Sequence, residues 1–122
     1  MKRNISILGS TGSIGLTALK VITKKKSLFK INILAADKNY KLICEQIVKF
    51  KPKVFLINNY ETYNKIKKKF KKKKISIINN LEDKKNISKS YITIAAIPGI
   101  AGLKPTISLI KKSKRVLIAN KE

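Results

Sequence analysis

Ile5-Ser6-Ile7-Leu8-Gly9-Ser10-Thr11-Gly12-Ser13-Ile14-Gly15 decides the fold: an apolar run, three glycines at every third position, then a helical pattern. The run Ile5–Leu8, extended back to Asn4, reads as a buried strand. From Ser13 to about Lys24, Ile14, Ala18, Leu19 and Ile22 share one helical face. Lysines close that helix at the end where its dipole favours cations. Between strand and helix lies Gly9-x-x-Gly12-x-x-Gly15, a wider spacing than G-x-G-x-x-G. A helix start offers backbone N–H groups to an anion. Glycine keeps side chains out of the way of a pyrophosphate and lets the helix pack closely on the strand. Thr11 and Ser13 add hydroxyl donors. A mere connection needs less than this, so the segment predicts a site for the phosphates of a nucleotide cofactor.

Outward from that turn, strands and helices alternate. Ile31–Ala36 reads as a second strand. Lys41–Phe50 reads as a helix whose buried face runs through Leu42, Ile43, Ile47 and Val48, with Cys44 as a small buried hydrophobe beside them. Pro52 punctuates before the strand Val54–Ile57. Asn59 is placed to cap a helix that runs into the block Lys65–Lys74, read as an exposed helix end and turn. Further strands are expected at Ile75–Ile78, Tyr91–Ile97 and Val116–Ala119, with a helix through Leu103, Ile107, Leu109 and Ile110 after a turn at Gly99–Gly102. Apolar strands separated by helices indicate βαβ units. The fold class is α/β, a Rossmann-like doubly wound parallel sheet, with residues 1–122 as one NAD(P)-binding domain.

In such a domain the end of the second strand reads the adenosine ribose. An acidic residue there suits the 2′-hydroxyl of NAD, and a basic one suits the 2′-phosphate of NADP. Asp37-Lys38-Asn39 offers both, and the residues leave the choice open.

Composition excludes several other classes. The single cysteine cannot form an intrachain disulfide, and with no histidine a zinc site is disfavoured. A metal would have to be a hard cation on oxygen ligands. No run of eighteen apolar residues suggests a membrane span, and Met1-Lys2-Arg3 leads straight into a strand without a secretory pattern, so a cytoplasmic location is expected. The net charge of +23 raises a nucleic-acid reading, but of 29 basic residues only Arg3 and Arg115 are arginine. Arginine makes the bidentate contacts to guanine and phosphate. Lysine, isoleucine and asparagine share A/T-rich codons, so compositional drift accounts for the excess more simply than a specific nucleic-acid partner. Salt-sensitive adherence to polyanions is expected either way.

Three segments together carry a resemblance. "ILGSTGSIG" at Ile7–Gly15, "AAIPGIAGLKPT" at Ala95–Thr106 and "LIANKE" at Leu117–Glu122, with "AADKN" at Ala35–Asn39, resemble the N-terminal NADPH-binding domain of the 1-deoxy-D-xylulose 5-phosphate reductoisomerase family. The match runs in order and spacing across essentially the whole chain. The resemblance implies an oxidoreductase that uses NADPH and a divalent metal, Mg or Mn. Its reaction converts 1-deoxy-D-xylulose 5-phosphate to 2-C-methyl-D-erythritol 4-phosphate in isoprenoid precursor biosynthesis. It further implies that Thr11, Gly12, Ser13 and Ile14 cradle the cofactor phosphates. Lys38 and Asn39 would lie at the adenosine ribose phosphate, with Asp37 beside them from the reading of the strand end, Asn120 and Glu122 near the reactive end of the cofactor, and Lys121 at the sugar-phosphate substrate.

Asp37 departs from the family, which commonly has glycine or another small neutral residue there. A carboxylate repels a 2′-phosphate unless Lys38 compensates. The sequence also stops at Glu122, where the family continues into a domain carrying the acidic metal ligands. No catalytic residue and no metal ligand is therefore expected within these residues, and the chain alone is expected to be inactive. The complete enzyme is expected to be a homodimer. The alternative is a stand-alone or remnant nucleotide-binding domain without turnover.

Overall fold

The computed structural model describes residues 2–83, 87–97 and 112–118. Along them run β1 (Arg3–Leu8), α1 (Ser13–Lys24), β2 (Phe29–Ala36), α2 (Tyr40–Phe50), β3 (Val54–Ile57), α3 (Tyr60–Lys69) and β4 (Ser76–Ile78). A 3-10 turn at Leu81–Asp83, β5 (Ser90–Ala95) and β6 (Ser113–Ile118) follow. The helix expected through Leu103 to Ile110, its preceding turn at Gly99–Gly102, and Ala119 lie outside the described residues.

The strands form one parallel sheet in the order β4-β3-β2-β1-β5-β6. The chain builds outward from β1 to β4, then returns to the other side of β1 for β5 and β6. This reversal makes the Rossmann-like doubly wound sheet that alternating strands and helices predict, in a single domain. Side chains alternate across the strands, so each strand feeds two apolar layers. One holds Ile5, Ile7, Leu34, Phe55 and Ile57 with Leu19 and Ile22 of α1, Ile43 and Ile47 of α2, and Ile66 of α3. The other holds Leu8, Ile33, Ala35, Val54, Leu56, Ile78 and Ala95. Fully burying one such large apolar side chain contributes about 1.5–3 kcal/mol, so strand burial dominates the stability of the sheet.

Several boundaries and faces differ from the sequence reading. β2 and β6 start two and three residues earlier than expected, at Phe29 and Ser113, and β5 ends at Ala95 rather than Ile97. The Ala96 N–H makes the last ladder bond on this side, to the Leu8 carbonyl at 2.8 Å. Val48 is 63% exposed and Cys44 only half-buried, because the inward stripe of α2 is Ile43, Gln46 and Ile47. β2 also carries a register shift against β1, with Ile5 opposite Ile31 but Ile7 opposite Leu34. The buried Asn32 sits at that irregularity and donates through Nδ2 to the Ser88 carbonyl and the Ser90 hydroxyl.

At the amino edge of the sheet Lys30 and Lys53 stand close together. The Lys30 ammonium, with a smaller contribution from burial, holds Lys53 below the usual lysine range. Among the described residues no helix is long and apolar enough to cross a membrane.

Candidate functional site at the carboxyl edge of the sheet

All strands of a parallel sheet end on one edge, and a ligand crevice opens where strand order reverses. Here that point lies between β1 and β5, directly beneath the glycine turn. The turn is tied to the strands on both sides. The N–H groups of Gly9 and Ser10 both donate to the Ala35 carbonyl of β2, at 2.7 and 2.9 Å, while Leu8 accepts from Ala96 after β5.

The three glycines do different work. Gly9 has φ +91°, and a Cβ there would lie 2.7 Å from the Ala96 carbonyl oxygen. A Cβ on Gly15 would lie 2.1 Å from the Gly9 carbonyl oxygen, so Gly15 lets α1 press against the turn. A Cβ on Gly12 would meet no described atom closer than the Gly9 carbonyl oxygen at 3.6 Å, and Gly12 is exposed. The fold therefore demands glycine at Gly9 and Gly15 but not at Gly12, where its effect is to leave room above the helix start.

Gly12 is also the N-cap of α1, and no side chain caps that end. The other two α-helices among the described residues are capped by asparagine: Asn39 accepts from Leu42 N–H at 3.2 Å and Asn59 from Thr62 N–H at 3.0 Å. Among the described residues the first-turn N–H groups of Ser13, Ile14 and Gly15 are thus left without a side-chain acceptor, at the carboxyl edge of the sheet. Unpaired donors at a helix start favour an anion. Ser13 is exposed, while Thr11 and Ile14 are half-buried. Ser10 is fully buried, and its Oγ has no partner among the described residues.

Asp37, Lys38 and Asn39 follow β2, next to the turn, and all are exposed. Asp37 Oδ1 accepts from Asn58 Nδ2 at 3.4 Å, a long contact. Asn39 commits its Oδ1 to the α2 cap, a structural duty the sequence reading did not assign. Asn120, Lys121 and Glu122 lie outside the described residues. β6 reaches the same edge as far as Ile118, in register with Ala95.

Sequence reasoning missed Gln46. From the buried face of α2 its Nε2 donates to the Ser10 carbonyl at 2.8 Å. The available signal was an amide side chain at helical spacing between Ile43 and Ile47. The two arginines do not line the crevice. Both lie over the Tyr91 ring, 4.2 Å from its centroid for Arg3 and 5.8 Å for Arg115. Among the described residues no three acidic, histidine or cysteine side chains come together to hold a metal ion.

The family model described as 1-deoxy-D-xylulose 5-phosphate reductoisomerase matches residues 5–122. The reductoisomerase of Pelagibacter ubique is 38% identical over 98% of this chain, and that of Buchnera aphidicola subsp. Schizaphis graminum is 40% identical over 98%. These matches cover 32% and 31% of the relatives, so the chain spans about a third of their length. Among solved structures, the reductoisomerase from Zymomonas mobilis in complex with NADPH superposes with a TM-score of 0.87 at 29% identity, covering 98% of this chain and 32% of that one. A reductoisomerase in complex with magnesium gives 0.84 at 26%, covering 98% and 31%. In sequence and in fold, across nearly all of its residues, the chain belongs to the 1-deoxy-D-xylulose 5-phosphate reductoisomerase family.

Proposed function

We propose that this chain is the NADPH-binding part of a reductoisomerase that converts 1-deoxy-D-xylulose 5-phosphate to 2-C-methyl-D-erythritol 4-phosphate. The observation that carries the reading is the uncapped start of α1, opening at the switch point under a glycine whose Cβ position is vacant. A pyrophosphate fits that arrangement: N–H donors converge on it, and the dipole of a twelve-residue helix favours its charge.

In this reading the N–H groups of Thr11, Ser13 and Ile14 and the Thr11 and Ser13 hydroxyls hold the phosphates, with Gly12, whose own N–H donates to the Gly9 carbonyl, leaving room between them. Lys38 stands at the ribose 2′-phosphate, with the Asn39 Nδ2 beside it. Asn120 and Glu122 take the nicotinamide end and Lys121 the sugar-phosphate substrate, on the strength of the "LIANKE" resemblance. NADPH supplies the hydride when bound, and the chain's part is to hold and orient it. The described residues provide no metal-holding set, so no metal ligand is assigned among them. A homodimer of the complete protein belongs to the same reading.

Titration of the purified chain with NADPH and NADH, followed by nicotinamide fluorescence, tests this. Saturable one-to-one binding with NADPH preferred is expected. Absence of saturable binding to either nucleotide would overturn it. The chain alone, given deoxyxylulose phosphate and magnesium, is expected to bind NADPH without oxidising it.

A further inference from the structure

We propose that Gln46 is a positioning residue that sets the Ser10–Thr11 peptide so that the Thr11 N–H faces the pyrophosphate. The inference rests on the NADPH reading above. Gln46 is 3% exposed, and its Nε2 reaches the Ser10 carbonyl at 2.8 Å across 36 residues of sequence. A carbonyl can only accept, so the amide nitrogen must face it. Ser10 is then held at both ends, its N–H by the Ala35 carbonyl and its C=O by Gln46.

The carbonyl of Ser10 and the N–H of Thr11 belong to one planar trans peptide and point in opposite directions. Drawing the Ser10 oxygen inward to α2 therefore turns the Thr11 N–H outward. That N–H meets no backbone or side-chain acceptor among the described residues, and Thr11 adjoins the open Gly12. The packing itself does not require glutamine. Gln46 Oε1 is buried without a partner among the described residues, a cost that an apolar side chain of similar size avoids. Leucine would fill the position, but it could not hold the Ser10 carbonyl.

The test uses Gln46→Leu and Gln46→Glu in the same chain, with two probes. NADPH spans the turn, whereas adenosine 2′-monophosphate carries the ribose phosphate and no pyrophosphate. Both variants should bind NADPH about tenfold more weakly, the effect of one charge-assisted hydrogen bond. Their affinity for adenosine 2′-monophosphate should match that of the unaltered chain, and the NADPH-induced shift of the Thr11 amide resonance should shrink. Unchanged NADPH affinity would overturn the proposal. So would parallel loss of both probes, or of the fold, in both variants, which is what a purely structural role predicts. If the unaltered chain binds no NADPH, the cofactor reading falls first and this inference with it.

Discussion

A Cβ on Gly15 would stand 2.1 Å from the carbonyl oxygen of Gly9, closer than any side chain can come to a backbone oxygen. At Gly15 helix α1 meets the backbone of the turn that precedes it, at Gly9 and Ser10. Gly15→Ala should therefore push α1 off the turn, at a cost of about 1–3 kcal/mol, typical of overpacking. The check is a thermal melt without ligand. An unchanged midpoint would mean that the helix can slide away without loss.

Gly12 gives the opposite expectation. A methyl group there meets no described atom closer than 3.6 Å, so Gly12→Ala should cost at most about 1 kcal/mol, the scale of a changed N-cap. NADPH affinity should nevertheless fall about tenfold, since the methyl occupies space above the helix start where an anion would sit. Equal affinity in the two proteins would place the phosphates elsewhere.

Replacing Asp37 with glycine should raise the preference for NADPH over NADH. The carboxylate is exposed and held only by the long contact to Asn58, so solvent screens it. At contact distance in water a charge pair is worth about 1 kcal/mol, which corresponds to a roughly fivefold change in the affinity ratio. Lys38→Gln should move the ratio the other way. No change with either variant would show that both side chains turn away from the ribose.

Asn39 and Asn59 form a matched pair of helix caps, one beside the glycine turn and one a strand further out. Asn39→Ala and Asn59→Ala should each lower stability by about 1 kcal/mol. Only Asn39→Ala should also weaken NADPH, because only its amide lies beside the turn. Equal binding by the two variants would leave Asn39 with its structural duty alone.

Lys53 tests the cost of the lysine surface. Its lowered pKa, caused first by the Lys30 charge, means that the protonated side chain is less favourable in the folded state than in the unfolded one. That penalty is present below the folded pKa and is relieved as pH rises through it. At neutral pH, Lys53→Gln should raise the melting temperature in dilute buffer. The gain should shrink at high salt, where the two ammonium groups are screened. A gain that survives high salt would point to a cause other than repulsion.

Much of the fold was legible in the sequence because punctuation and periodicity agreed. α1 runs over Ser13–Lys24 as expected, with glycine before it and lysine at its end. Asn59 caps α3 as its position suggested. The misplaced features share a cause: polar residues in places usually given to apolar ones. Ser113, Lys114 and Arg115 open β6, an edge strand that tolerates charge on its outer side, so they read as loop. Gln46 takes an inward position on α2, which displaces Val48 to the surface. Asn32 is buried in mid-strand beside a register shift that no single strand reveals. The elements of the crevice were legible singly. That β2 and β5 would flank the glycine turn depends on strand order, which belongs to the whole sheet.

The uncapped start of α1 has a consequence for how this chain tolerates its own composition. Nucleotide bias toward A and T can replace arginine by lysine and valine by isoleucine across a surface, but it cannot alter a main-chain amide. Glycine codons begin with two guanines, so the glycines of the cradle run against such a bias. Of the five glycines in the chain, three stand in this turn.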